Sequence, residues 1–572
     1  MSLASALRVF ALAINFLILS SPPLLQRWVG GDTRPYLVAT LVLAVVNLAL
    51  VMSWRRSAMD AGAPAAPSIG RAVAPVVAIV AGGILLVTSR AWLHQILTIP
   101  HDPQRADMLI VVQLGIRRML QGNNPYTIYH LPWDAPLPYG PMLWAPYVVP
   151  FLLRADIRFV TVLGEMFVPA ACAIGAVTAA TRGRWLTTVA WTSALAAVCF
   201  NPDLDRFASI GHTPAYWPLI ALFTWLVAAE RWDGAAIAMG LLVVARTTMV
   251  AVAPVFLMAV WWHARPRLLR ALLLTLVSAA LPFLPFAFWD APALSYALYG
   301  SYENVIKTFV WPSTSWVQHT IGITGLLLSN HLNRWVEAIQ IVVMIGVYAI
   351  GWRAIRHGRP PLPWMALALL AFSMTTLWPV TYLYFDVFLL LLCSALAGTP
   401  WLEERARGPL GAWIATLAAA SLLVVATAWA IVPGDSTLDV GTGAARPLLR
   451  SGFGDDEREG ERTFAWVEGR HASILVPRRS SRRATLDLEC LPFLPTEGST
   501  QQASAVLNGV SIGTVVLPGG WNRVSFTAPA HAWQIGVNEL ELFFSSSASP
   551  AQSGVGTDAR QLSVAVDRLT VR

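Results

Sequence analysis

Long apolar runs separated by short polar breaks dominate the first three quarters of the chain. A bilayer crossing needs roughly 20 apolar residues as a helix. Runs near 5–25, 36–54, 72–95, 157–180, 185–200, 212–229, 234–262, 268–289, 333–352, 362–378, 384–398 and 410–432 meet or approach that length. The run 234–262, "GAAIAMGLLVVARTTMVAVAPVFLMAVWW", is too long for one crossing and carries "RTT" at its middle, so two short helices meeting at Arg246 are expected. The pattern predicts about thirteen transmembrane segments on the same length criterion. The first run follows Arg8 and ends in "SSPPLLQ" without a small-x-small site, which reads as a membrane helix rather than a cleaved leader.

Arginine fixes the expected orientation. The connectors "TRGRW", "HARPRLLR", "WRAIRHGRPP", "EERARGP" and "WRRSAMDAGAPAAPSIGR" are all basic. Basic short loops stay cytoplasmic, and with the N-terminus inside all five fall on that side. Segments 96–156, 201–211, 290–332 and everything after 433 are then extracytoplasmic.

Beyond Pro433 the period changes from long runs to alternation. "ASAVLNGVSIGTVVL" places Asn508-Gly509 between two alternating stretches, a strong hairpin signal, and "VNELELFF" and "LSVAVDRLTV" alternate likewise. The expected organisation is a polytopic α-helical membrane domain over 1–432, a linker over 433–450 and an all-β sandwich over 451–572.

Composition agrees with that division. The chain is 56% hydrophobic and 13% charged, where a soluble domain is about a quarter charged. The net charge of +8 is carried almost entirely by arginine, with no clustered basic face of the kind nucleic-acid binding requires. Cys172, Cys199 and Cys393 sit in apolar runs and Cys490 stands alone in the polar region, so no disulfide framework is expected. Phosphate-loop, dinucleotide and zinc spacings are absent.

The segment His101–Pro141 is unusually structured for a loop between spans. Asp102-Pro103 reads as a helix start and Gly122-Asn123-Asn124-Pro125 as its stop. At about 100° per residue, Met108, Leu109, Val112, Ile116, Met119 and Leu120 share one face, with Asp107, Leu114, Arg118 and Gln121 opposite. Such a helix is expected to rest in the membrane interface. Asp107 falls in the second turn, too deep to cap the helix. It either favours the helix dipole as a solvated acid or serves as a general base at the membrane surface.

The stretch "AD…LGIRRMLQGNNPY…PLPYGPMLWAPYVV" resembles the first external loop of GT-C glycosyltransferases that use polyprenyl-phosphate sugars, most like the GT87 (DUF2029) branch of polyprenol-phosphate-mannose-dependent α-mannosyltransferases. The matching features are Asp107, Gly122 with Asn124-Pro125-Tyr126, and Tyr139-Gly140-Pro141. "SIGHTPAYWPLIALFTWLVA" is similar to that family's "GQxN" helix start, with His212 in place of Gln. "GLLVVARTTMVAVAPVFL" resembles its "KP" break, with Arg246 in place of Lys. "LWPVTYLYFDVFLLLL" resembles its "SPxSWxHH", with Thr381, Tyr382 and Tyr384 there and no His. The resemblance implies a hexosyltransferase whose loop acid, here Asp107, is the catalytic base. The donor would be a polyprenyl-phosphate sugar, such as mannose, and the acceptor a cell-envelope glycan or glycolipid outside a bacterial inner membrane.

Other positions keep two readings. Arg246 suits a lipid phosphate, which a guanidinium binds by paired hydrogen bonds, or an internal ion pair with Glu165 or Asp386. His319, beside Trp311 and Trp316, is either a solvent-exposed residue or an acid, base or hydroxyl partner in the site. Asp203 and Asp205 could hold a divalent cation, yet acids so spaced are common in loops, and no cofactor is expected. Substrate contacts are expected from Arg118, Tyr126, Tyr139, His212, Arg246 and Tyr382, while interfacial anchoring also accounts for the tyrosines. The C-terminal part resembles β-sandwich modules appended to envelope glycosyltransferases, although Asn508-Gly509, Gly520-Trp521 and Gly536-Val537-Asn538 serve turns first. Two alternatives remain: a transporter or flippase of lipid-linked glycans with Arg246 at a midplane site, and a non-catalytic anchor displaying a glycan-binding sandwich.

Overall fold

The computed structural model describes residues 9–10, 13, 46, 67–317, 320, 322–380, 382–397, 408–496 and 498–572. The expected spans 5–25 and 36–54, together with His319 and Thr381, lie outside the described residues. Two compact units are present: Met1–Ser89, Pro103–Val148 and Val160–Val424 form the first, and Arg90–Asp102, Val149–Phe159 and Val425–Arg572 the second.

Helices α1 (Pro67–Thr98), α2 (Pro103–Leu120), α3 (Arg158–Thr181), α4 (Trp185–Cys199), α5 (Pro202–Ile210), α6 (Trp217–Ala228), α7 (Trp232–Ala245), α8 (Ala253–His263), α9 (Leu268–Ala280), α10 (Leu284–Ser295), α11 (Val336–Arg356), α12 (Pro361–Thr375), α13 (Leu383–Ala397) and α14 (Gly408–Ile431) run along the chain. Among the described residues four helices are long and apolar enough to cross a membrane: Ala72–Thr98, Arg158–Thr181, Asn333–Arg356 and Gly408–Ile431. The apolar window of α3 is 78% buried, against 22%, 17% and 22% for the other three. The first therefore lies at the centre of its unit, and the others turn apolar side chains outward.

The expected count of about thirteen spans is not supported. Most of the remaining apolar runs form helices of 10–17 residues, shorter than a straight crossing requires. The interruptions have local causes. Run 212–229 opens as a tight 3-10 turn over Thr213–Tyr216 around Pro214. Run 268–289 breaks after Ala280 in front of Pro282 and Pro285, and the pair Arg265–Ala280 and Leu284–Val310 is bent by 67°, which raises the count to five if read as one span. Proline removes an amide donor and crowds the preceding turn.

The 96–156 segment is more ordered than its hydropathy suggests. It contains a small antiparallel hairpin, β1 (Ile128–His130) with β2 (Asp134–Pro136), registered Tyr129 to Ala135. Helix α2 ends as its sequence predicts. Gly122 has φ +80°, its amide donates to Met119, and the Asn123 amide donates back to Arg118, so a left-handed glycine closes the last carbonyls. Leu109, Val112 and Ile116 of the expected apolar face are buried, with Ala106, Val111 and Gly115.

The C-terminal region is an all-β sandwich. One sheet has the order β10-β9-β12-β7-β4 and the other β11-β8-β13-β6-β5, with β3 added to β13. The strands are β3 (Ser436–Asp439), β4 (Leu449–Ser451), β5 (Phe453–Glu459), β6 (Arg462–Glu468), β7 (His471–Arg478), β8 (Ala484–Pro492), β9 (Gln501–Leu507), β10 (Val510–Leu517), β11 (Asn522–Ala528), β12 (Gly536–Phe544) and β13 (Leu562–Val571). Inward residues of both sheets, including Ile474, Leu488, Leu507, Leu542 and Val566, share one core. Asn508 and Gly509 both take positive φ between β9 and β10, as the two-residue turn requires. Residues 433–450, read from composition as a linker, carry β3, which joins the second sheet, and the start of β4, an edge strand of the first. Their alternation is too short to stand out, and pairing with β13 and β7 supplies the order.

Candidate functional site

The site grows from the break after α7. Arg246 is extended (φ −144°, ψ 112°), and a 3-10 turn over Thr247–Ala251 leads into α8, so the 234–262 run does divide at Arg246. The half-buried guanidinium lies over the Tyr382 ring at 5.3 Å. It is within electrostatic reach of Tyr216, Tyr382, Asp386 and Tyr139. Its Nε is buried without a hydrogen-bond partner among the described residues. Asp386 Oδ2 accepts from the Tyr216 hydroxyl at 2.7 Å, and its Oδ1 is buried without a hydrogen bond among the described residues. Glu165 is buried with neither oxygen bonded, and its charged neighbour is Asp205 rather than Arg246.

Backbone contact brings the "YGP" bend to this point. A Cβ on Gly140 would sit 1.9 Å from the Val244 carbonyl oxygen, two residues before Arg246. Tyr139 consequently meets the His212 ring, centroid to centroid at 4.5 Å. The buried Tyr126 hydroxyl donates to the Tyr139 carbonyl at 3.0 Å and receives the Trp144 indole N–H at 3.4 Å, while its ring packs edge-on against Phe286. Tyr126 therefore holds the bend and does not reach the open site.

His212 is fixed from behind. The Tyr147 hydroxyl lies 3.0 Å from the His212 carbonyl and 3.0 Å from Thr161 Oγ1, which donates to the Gly211 carbonyl at 2.7 Å. Gly164 of α3 lets the following Pro214 carbonyl approach to 2.0 Å from where a Cβ would stand. The imidazole Nε2 is buried without a hydrogen-bond partner among the described residues, with Arg246 as its charged neighbour.

Asp107 differs from its expected setting. Ala106 is non-helical (φ −136°, ψ 42°), so α2 is kinked there and Asp107 opens the second segment instead of lying mid-helix. Its Oδ1 accepts the Met108 amide at 2.7 Å. Burial raises the carboxyl above its ordinary range, against the lowering effect of that amide. Tyr139 is close enough to feel its charge. Asp107, Tyr139, His212, Arg246 and Tyr382 thus converge, joined by Tyr216 and Tyr302, which the sequence reading missed. Tyr216 stands four residues after His212, a helical spacing that offered the one available signal.

Arg118 does not join them. Its Nε donates to the Asn124 carbonyl at 2.8 Å on an exposed surface, where it braces the helix stop. Asn201 caps α5 by accepting the Asp203 and Leu204 amides, and burial pushes Asp203 up to about 6 against the pull of Arg206. No group of three His, Cys, Asp or Glu that could hold a metal occurs among the described residues. In the sandwich, Asn538 is fully buried and bonded to Asn508, Gln534 and Val476, so this "GxN" element orders its turn.

No protein-family model matches the chain, and no curated protein matches it. Among solved structures it is similar to a family 35 carbohydrate-binding module from an environmental isolate, at 17% identity over 22% of this chain and 90% of that one, with a TM-score of 0.16. A Podospora anserina GH26-CBM35 β-(1,4)-mannanase matches at 13% identity over 24% of this chain and 27% of that one, and the CBM36-1 domain of a xylanase from the hindgut metagenome of Trinervitermes trinervoides at 13% over 24% and 97%, each with a TM-score of 0.16.

Proposed function

We propose that the protein is a polytopic membrane glycosyltransferase of GT-C type, similar to the GT87 family, which moves a sugar from a polyprenyl-phosphate donor to an envelope glycan or glycolipid outside a bacterial inner membrane. The observation that carries this reading is the Arg246 nest. A guanidinium at a helix break has a buried Nε without a hydrogen-bond partner among the described residues, tyrosines lie around it, and Asp386, whose Oδ2 bonds Tyr216, reaches it by charge. A half-buried guanidinium with a free donor gains from a further anion in the site, and a lipid phosphate would supply one with paired hydrogen bonds.

In the proposed reaction the acceptor hydroxyl oxygen attacks the anomeric carbon and the bond from that carbon to the phosphate oxygen breaks. The hydroxyl proton passes to Asp107, and the electron pair leaves on the polyprenyl phosphate. Arg246 holds that phosphate and offsets the charge developing on it. Tyr139 and His212 line the space between base and phosphate, and Tyr382 flanks the guanidinium. A raised Asp107 pKa brings the base nearer the working pH, where proton transfer is most effective.

The test is sugar transfer by the full chain in lipid nanodiscs, with radiolabelled polyprenyl-phosphate sugars and an envelope-lipid extract as acceptor. Transfer that Asp107→Asn abolishes while donor binding persists is expected. Equal transfer by Asp107→Asn removes the base from the mechanism. The helix break at Arg246 also suits a translocation site for a lipid-linked glycan; movement of labelled donor between leaflets without transfer would favour that reading.

A further inference from the structure

A cavity of about 440 Å³ lies within the second unit, away from the Arg246 nest. Its walls include Leu97 and Thr98 at the C-terminal end of α1, Ile431 at the C-terminal end of α14, and Leu448, Leu475 and Leu569 of the sandwich. The ends of two helices long enough to cross a membrane therefore open into one space. Asp435, Ser436, Thr437 and His94 give the lining a polar part.

Asp435 lines the cavity, and two arginines outside the lining stand near it. Asp435 is exposed and has Arg478 within electrostatic reach. Gly434, between the lining residues Pro433 and Asp435, has the Arg479 guanidinium 3.5 Å from the position of its missing Cβ. Arg479 is tied to the same place: its amide donates to the Pro433 carbonyl at 2.9 Å, its Nη1 to the Trp429 carbonyl at 3.3 Å, and it stacks on Trp429 at 4.6 Å. Trp429 is exposed, as an aromatic anchor at a membrane boundary would be.

We infer that this cavity binds a zwitterionic phospholipid with a phosphoethanolamine headgroup, its ammonium on Asp435, its phosphate on Arg479, and the start of an acyl chain along Leu97, Ile431 and Leu448. Apolar walls and separated opposite charges match that amphiphile. An anionic glycerol headgroup would bring no cation to Asp435, and a choline headgroup could not donate a hydrogen bond to it. The site is independent of the transfer reaction.

Native mass spectrometry of the delipidated full chain, titrated with phosphatidylethanolamine, phosphatidylglycerol or phosphatidylcholine, tests this. Phosphatidylethanolamine should be retained about tenfold better than the other two, the difference one charge-assisted hydrogen bond supports. Asp435→Asn should erase that preference, and Leu448→Trp, which fills the cavity, should reduce retention of all three. Equal or better retention of phosphatidylglycerol or phosphatidylcholine by the native chain overturns the assignment, as does retention unaffected by Leu448→Trp. If Leu448→Trp does not fold, the comparison with the surface change Asp435→Asn decides alone.

Discussion

Gly140 and Val244 meet backbone to backbone, with 1.9 Å between the Val244 oxygen and the place a Cβ on Gly140 would occupy. That contact joins the "YGP" bend to the end of α7 and so sets Tyr139 beside Arg246 and His212. Only a residue without a side chain allows it. Gly140→Ala must push the bend away, at a stability cost of about 1–3 kcal/mol for overpacking. Donor binding should fall with it, measured beside the thermal midpoint. Gly122→Ala is the control: its φ of +80° makes alanine unfavourable by about 1–2 kcal/mol, but the space there is open. A similar loss of stability with donor binding kept is expected.

Arg246→Lys keeps the positive charge but removes the planar fork. Affinity for a polyprenyl-phosphate sugar should drop about 10-fold to 100-fold, the worth of one or two charge-assisted hydrogen bonds. Binding isotherms in nanodiscs give the answer. Unchanged affinity would separate Arg246 from the phosphate.

The pH dependence of transfer follows from Asp107. Burial favours its neutral form and holds the folded pKa above the ordinary carboxylate value of about 3.9. A general base acts only when deprotonated, so the rate should rise as pH increases through that raised pKa. The acid limb should therefore lie above the usual carboxylate range. In Asp107→Asn the limb should vanish with the activity. A limb at the ordinary carboxylate position would mean that Asp107 is solvated and is not the base.

Much of this arrangement was legible because short-range chemistry dictates it. Asn508-Gly509 supplies two left-handed residues, so the β9–β10 hairpin could be read without tertiary information. Gly122 and Pro125 similarly mark the end of α2, and the charge of Arg246 inside a largely apolar run of 29 residues marks the helix break. The kink at Ala106 has no such signal. Alanine is a strong helix former, so its non-helical backbone there comes from packing rather than local preference. The missed hairpin β1–β2 is three residues per strand, too short for a period to emerge. Hydropathy predicts more crossings than the described helices support because it senses apolar length and not the proline-bound turns that cut runs such as 268–289.

The Arg158–Asp156 pair gives a stability prediction separate from catalysis. Both side chains are almost completely buried, with Arg158 Nη2 2.7 Å from Asp156 Oδ2. The remaining guanidinium donors reach the Ile99 and Ile96 carbonyls at 2.6 and 2.8 Å, and the Asp156 amide donates to Ile535 at 2.7 Å. Asp156→Asn strands the buried arginine, and a cost of about 3–5 kcal/mol is expected from breaking one partner of such a pair. Burial alone would raise the Asp156 carboxyl, but Arg158 and His101 bring it below its ordinary range. A carboxyl depressed on folding contributes stability that is fully present above its unfolded pKa of about 3.9 and is lost as pH falls through the lower folded value. Unfolding of the native chain monitored by tryptophan fluorescence should therefore show stability falling with acid below about pH 4, from this group. Asp156→Asn should be weaker at neutral pH and should lose that part of the acid dependence. A variant as stable as the native chain at pH 7, or one with the same acid dependence, would show that the pair does not hold the second unit together.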